Sequence, residues 1–251
     1  MPSSIPGAPH KLRPVFPASS SPGPRNPHDE KAEHESTRSI IASRSLQRHI
    51  EGGYFAEIDR NPLVIPNPFL HQRQGHGGDG DVEEGGHWEG LKTAEKPVSG
   101  DQGIRTASTS IYYLLTPVEP QGCFHRNKGR TIHTLISGRG QYVLIHADAG
   151  GAKKRIETFV VGMDLAAGEK AVWVVEGGKY KASFLLDTHT GADTGAETDK
   201  GKGKDEARLL ISETVIPGFE YCDHDFLTLD KFRALVTEEQ AEELEWLVRK
   251  S

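Results

Sequence analysis

Two histidines stand eight residues apart in sequence that otherwise reads as apolar strand: His125 in Cys123-Phe124-His125-Arg126 and His133 in Thr131-Ile132-His133-Thr134-Leu135. Paired antiparallel through a turn at 127–130, they would face each other across the ladder and point into one cavity. Converging imidazoles suit metal ligation or acid–base work, because histidine titrates near neutrality. The same spacing also fits two hydrogen-bonded wall residues. A second chemically able stretch runs from His49 to Arg60 (HIEGGYFAEIDR). Its paired glycines, Gly52 and Gly53, permit a sharp entry into a strand, and alternation then sends Glu51, Gly53, Phe55 and Glu57 to one side. An inward Glu57 needs a positive partner, since an unpaired buried carboxylate is costly or takes up a proton. Arg60, Arg105 and Arg126 are available; the alternative is an arginine–glutamate pair that merely braces the fold.

Other patterns carry less. The Gly-Gly pairs at 52–53 and 177–178 lack both the Walker and the dinucleotide spacing, and no G-x-S-x-G elbow is present. Cys222 beside Asp223-His224-Asp225 reads as a packed or surface cysteine, because neighbours along a strand or loop point in different directions.

The elements that must position these residues are mostly strands. Residues 108–116 (STSIYYLLT) are rich in β-branched and aromatic types, and similar runs follow at 131–137, 141–147, 155–161, 171–176, 182–187 and 209–216. Glycine turns separate several of them, and the gaps are too short for crossover helices, which predicts an antiparallel sandwich or barrel. Only the C-terminus looks helical. Thr237-Glu238-Glu239-Gln240 is a capping box ahead of Leu244, Leu247 and Val248, and Asp230 could cap a shorter helix through Val236. The expected organisation is a disordered tail at 1–38, a barrel at 39–236 with disordered insertions at about 71–103 and 188–206, and a C-terminal helix at 237–251. Eight of the fifteen prolines fall within residues 1–28, and the two insertions are polar and glycine-rich, so none of the three can bury much apolar surface.

Composition removes whole classes. Among 251 residues the net charge is −6, which argues against a general nucleic-acid binder. A mean hydropathy of −0.54, with no apolar run near the roughly 18 residues a span requires, argues against a membrane protein. Two cysteines exclude a disulfide scaffold and fit a reducing compartment. Residues 1–35 have no apolar signal core, and Asp29, Glu30, Glu33 and Glu35 do not suit a mitochondrial presequence. The expected location is the cytoplasm, with the nucleus as the alternative.

In this order, HIEGGYFAEIDR, STSIYYLLTP, FHRNKGRTIHTLISGRGQYVLI, ETFVVG, WVVEGGKYKASFLL and SETVIPGFEYCDHDF resemble the Cupin_5-like family, a poorly characterised branch of the cupin superfamily, over about residues 44–230. The resemblance implies an all-β, double-stranded β-helix (jelly-roll) barrel with short C-terminal helices, often dimeric, with a ligand cavity between its sheets. Its architecture is similar to that of sugar-nucleotide epimerases and seed-storage cupins. Many cupins bind a metal through H-x-H-x3-4-E and a later histidine. Here Asn127 follows His125 where the second histidine would stand, and Lys181 falls near the later ligand position. A protonated lysine has no free lone pair to give a metal. A divalent metal, if held, would take His125, His133 and Glu57.

Carried over residue by residue, the barrel-lining polar set implied by the resemblance is Glu57, Arg60, Tyr112, His125, Arg126 and His133; Glu213 and Pro217-Gly218-Phe219 match a late motif. The expected function is binding of a small carbohydrate-like or anionic molecule, with isomerase or epimerase chemistry as its catalytic form. His125 or His133 would remove a proton beside a carbonyl, Tyr112 would return it, and Arg126 or Arg60 would hold the anion. The alternatives are a metal-dependent oxygenase-type cupin and a non-catalytic binding or storage-like module. Expected partners are a small-molecule ligand and a second copy of the chain.

Overall fold

The structure, a computed structural model, describes residues 2–16, 33–70, 91–187 and 207–250. The stretches at 17–32, 71–90 and 188–206, all within the segments expected to be disordered, lie outside the described residues, whereas 91–103, expected to be disordered with 71–90, is described and contributes a strand at Leu91–Lys92. In chain order the elements begin with helix α1 (Glu35–Ser43) and strands β1 (Gln47–Arg48), β2 (Tyr54–Arg60), β3 (Val64–Pro66), β4 (Leu91–Lys92) and β5 (Ile104–Thr106). There follow β6 (Thr109–Leu115), β7 (Gln121–Asn127), β8 (Arg130–Gly138), β9 (Gly140–Ile145) and β10 (Ile156–Val161). The chain continues through β11 (Val172–Val175), β12 (Tyr180–Leu185), β13 (Leu209–Ile216) and β14 (His224–Phe226), then helices α2 (Leu229–Leu235) and α3 (Glu238–Leu244).

Two six-stranded antiparallel sheets result, ordered β1-β2-β6-β13-β8-β11 and β10-β9-β12-β7-β14-β4, and β3 pairs with β5 apart from them. This is the expected jelly roll. Period-two alternation sets the inner faces. On β8, Thr131, His133 and Leu135 are buried while Arg130, Thr134 and Ile136 are exposed. On β13, Leu209, Ile211, Glu213 and Val215 are buried, and the register sets Glu213 opposite His133. By contrast β9 and β12 are buried at every position. Their inner faces meet the first sheet, and their outer faces lie under the C-terminal helices.

Two large clusters and a smaller third one, of Ile41, Leu46, Tyr54 and Leu114, make up the core among the described residues. Leu135, Trp173, Leu209 and Ile211 pack in one cluster with Tyr142 and Leu144, and Phe124, Val143, Phe184, Phe232 and Leu244 pack in a second, on the helix side. Phe124 stacks on Phe232 with centroids 5.8 Å apart. The capping box of α3 forms as read, while α2 is capped by Thr228 rather than by Asp230. Among the described residues no helix is long and apolar enough to cross a membrane.

Two expectations change. Strands β7 and β8 do not pair across the turn between them. β7 lies between β12 and β14 in one sheet, and β8 lies between β13 and β11 in the other. Lys128 and Gly129 instead carry the chain across a corner, with the Lys128 amide donating to the Asp223 carbonyl at 2.9 Å. The N-terminal segment is also not wholly disordered. Ile5, 2% exposed, joins the helix-side core, and Phe16 joins the other cluster. The Glu243 carboxylate on α3 accepts from Ser3 Oγ at 2.7 Å and from the amides of Ser4 and Leu12, both at 2.8 Å. Proline-rich sequence builds no core of its own, but its scattered apolar side chains and free amides can dock on one already made.

Candidate functional site

Glu51 owes its position to the two glycines after it. Gly52 and Gly53 have φ of 103° and 70°, a left-handed backbone that residues with a Cβ rarely adopt. A Cβ on Gly52 would run into the Gln121 carbonyl. The loop is fastened at both ends of this approach: the Cys123 amide donates to the Glu51 carbonyl at 2.7 Å, and the Tyr113 hydroxyl donates to the Gly52 carbonyl at 2.9 Å. Glu51 is thereby held in the interior, 7% exposed.

Three imidazoles surround its carboxylate. His125 Nε2 lies 3.2 Å from Oε2, His224 Nε2 lies 3.0 Å from Oε1, and His49 Nδ1 lies 3.4 Å from Oε2. His125 comes from β7 and His224 from β14, with ring centroids 5.4 Å apart. His125 Nδ1 donates to the Cys123 carbonyl at 2.8 Å, which places the lone pair of a neutral ring on Nε2. His224 Nδ1 meets Thr93 Oγ1 at 2.6 Å, so its Nε2 is turned to Glu51. Burial pushes His125 down to about 3, against the opposing pull of Glu51 and with help from Lys181. Burial alone would raise Glu51, but His125, His49 and His224 together hold it well below the usual carboxylate range.

A second cluster joins β8, β12 and β13. Lys181 Nζ donates to Glu213 Oε2 at 2.7 Å and lies 3.1 Å from His133 Nε2, which is itself 3.3 Å from the same carboxylate oxygen. The His133 ring stacks on Trp173 at 4.9 Å with planes 7° apart. Burial lowers His133, and Lys181 lowers it further. Burial would raise Glu213, yet Lys181 and His133 win and hold it far below its ordinary value. Tyr113 and Tyr142 are buried phenols pushed well above theirs, so both keep their protons and can donate them in hydrogen bonds.

Between the clusters lies a tight gap walled by Glu51, Tyr113, His125, Tyr142, Lys181 and Glu213, whose walls must part to admit a ligand.

The residues singled out from sequence are distributed unevenly around this space. His125 and His133 both point inward, but from opposing sheets and into different clusters. Glu57 sits at the rim with its side chain 42% exposed, and Arg60 holds it at 2.8 Å while also reaching Glu220 at 3.2 Å. Glu57 therefore does not join His125 and His133 as a third ligand. Tyr112 packs against the cluster formed by Ile41, Leu46, Tyr54 and Leu114, with Arg44 over its ring, and its neighbour Tyr113 takes the inner face. Arg126 pairs with Asp225 at 2.8 and 2.9 Å and lies over the Tyr180 ring at 4.7 Å, away from the cavity. In each case alternation along a strand was the usable signal, and the starting phase decided the face. Glu51, Lys181 and Glu213 lay within recognised motifs. His224 lay in one too, but nothing local pointed to its partner Glu51, 173 residues away in sequence.

The comparisons with known proteins agree with this architecture. The family model Cupin_5, described as Cupin superfamily (DUF985), matches residues 38–227. The chain is a cupin. It is 39% identical over 218 residues to the uncharacterised protein YML079W of Saccharomyces cerevisiae, an alignment covering 84% of this chain and 86% of that protein. Among solved structures, this cupin is similar to protein SO0799 from Shewanella oneidensis, with a TM-score of 0.55, 18% identity and 85% and 97% of the two chains covered. It is also similar to a hypothetical protein from Leishmania major, with a TM-score of 0.53, 21% identity and coverage of 84% and 94%. At those identities the two structures support the cupin fold alone.

Proposed function

We propose that this cupin binds a small polar molecule, carbohydrate-like or anionic, between its sheets and shifts a proton on it, in the manner of an isomerase or epimerase. The observation that carries this reading is the pairing of a buried carboxylate, Glu213, with a buried ammonium, Lys181, on the same small cavity. Glu213 is a weak base while Lys181 faces it. When a ligand oxygen draws the Lys181 ammonium away, burial is left to raise the carboxyl, and Glu213 becomes able to take a proton from carbon. Lys181 then stabilises the negative charge that forms on that oxygen. Tyr142, which keeps its proton, donates to the same charge or returns the proton. His133, stacked on Trp173, is a positioning residue that fixes Lys181 from behind.

Wild-type protein in D2O with small aldoses, ketoses and 2-hydroxy acids tests the reading, with proton NMR reporting exchange at the carbon beside the carbonyl or carboxyl. Exchange is expected on at least one compound, reduced by about 100-fold or more in both Glu213→Gln and Tyr142→Phe. Thermal stabilisation by those compounds without any exchange would leave a binding protein and end the catalytic proposal.

A further inference from the structure

Outside the Lys181–Glu213 pair, the Glu51 cluster has a feature that hydrogen bonding leaves unexplained. With Nδ1 of His125 donating to the Cys123 carbonyl, its Nε2 faces a Glu51 carboxylate oxygen 3.2 Å away. That Nε2 is buried and has no hydrogen-bond partner among the described residues. His49 Nδ1 lies 3.4 Å from the same oxygen and is likewise buried without a hydrogen-bond partner. Buried ring nitrogens left without hydrogen-bond partners around one carboxylate are a donor set that a bound cation satisfies.

We infer that Glu51, His125 and His224, with His49 beside them, form a binding site for one first-row divalent transition metal. The ligand atoms of Glu51, His125 and His224 all lie within 4.8 Å of one another. Metal–ligand bonds of about 2.1 Å separate neighbouring ligand atoms by about 3.0 Å at right angles and about 3.4 Å in a tetrahedron. The spacings of 3.2, 3.0 and 3.4 Å around Glu51 fall in that window. Imidazole nitrogen with a single carboxylate selects iron, manganese, cobalt, nickel or zinc over calcium and magnesium, which prefer oxygen. Cys123 O and Thr93 Oγ1 hold the far nitrogens of two of the rings, the arrangement that orients metal-ligating histidines.

This set differs from the one expected from sequence. It uses neither His133 nor Glu57, and Lys181, near the later ligand position of metal-binding cupins, is committed to Glu213 and His133. A dication on one carboxylate leaves a net positive charge beside Lys181, which favours an anionic molecule in the adjoining space.

The test is a cobalt(II) titration of the full chain after chelator treatment, followed by visible d–d absorption and elemental analysis. One equivalent per chain is expected. Glu51→Gln and His224→Gln should each weaken binding by at least 10-fold, while Glu213→Gln and His133→Asn should leave the stoichiometry at one. Circular dichroism confirms that each variant is folded; if Glu51→Gln is not, His224→Gln with His49→Gln decides the matter. Absence of cobalt binding by folded wild type, or binding indifferent to His224, overturns the inference. Cobalt binding without proton exchange keeps this site and removes the proton-transfer reading; exchange by metal-free protein that ignores cobalt does the opposite.

Discussion

Buried charges here are arranged in pairs, and removing half of a pair should cost more than removing all of it. Lys181 and Glu213 are 3% and 7% exposed. Lys181→Met strands an anionic Glu213 in the interior and is expected to lower stability by about 3–5 kcal/mol, whereas Lys181→Met with Glu213→Leu should recover most of that loss. Urea denaturation of the two variants makes the comparison; equal losses would mean that the pair is not desolvated as described. Glu33 behaves oppositely. It accepts from the Tyr54 hydroxyl at 3.0 Å and Thr116 Oγ1 at 2.6 Å, but burial outweighs those bonds and raises its pKa. A carboxyl with a raised folded-state pKa supports the fold below its unfolded value and loses that support as pH climbs through the folded one. Glu33→Gln should therefore match wild type below about pH 4 and gain on it as pH rises toward neutrality, as read by thermal melts across the range. Legibility at this scale was partial. His125 and His133 stood out by type and spacing, whereas Tyr112 came from the family resemblance, and strand alternation, which gives two faces without saying which is inside, offered nothing to move the choice to Tyr113.

Elements were read more securely than the way they associate. β8, β13 and the capping box of α3 are visible in local pattern, since period-two burial and a Thr-x-x-Gln cap need only a few neighbouring residues. The separation of β7 from β8 was not visible, because a short link between two strands fits a hairpin and a corner between sheets equally well. Gly177, where a Cβ would strike the Lys128 carbonyl, is part of what makes that corner, and it lies some fifty residues away. The Gly52-Gly53 entry to β2 is the element on which the cluster depends. Gly52→Ala places a Cβ against the Gln121 carbonyl in a left-handed backbone that alone costs about 1–2 kcal/mol. It should lower the melting temperature and weaken cobalt binding although no ligand has changed. Unaltered binding would show that the loop does not set the position of Glu51.

For the molecule as a whole, the N-terminal segment departs most from expectation. Serine and proline content suggested that it could not order itself, which holds for an isolated peptide; Ile5 and the amides of Ser4 and Leu12 find their partners on α3 and the core beneath it. Ile5→Ala should cost about 2–5 kcal/mol, and differential scanning calorimetry of this variant beside Glu243→Gln would register both attachments. A loss below about 0.5 kcal/mol for Ile5→Ala would mark the segment as loosely attached.

The hydroxyl of Ser3 and the carboxylate that receives it are 240 residues apart in the chain. On a translating ribosome the early segment must wait, unattached, until almost all the remaining sequence has emerged. Pulse proteolysis of stalled nascent chains should find residues 2–12 open to cleavage at every length short of α3 and protected only once Glu243 has left the exit tunnel.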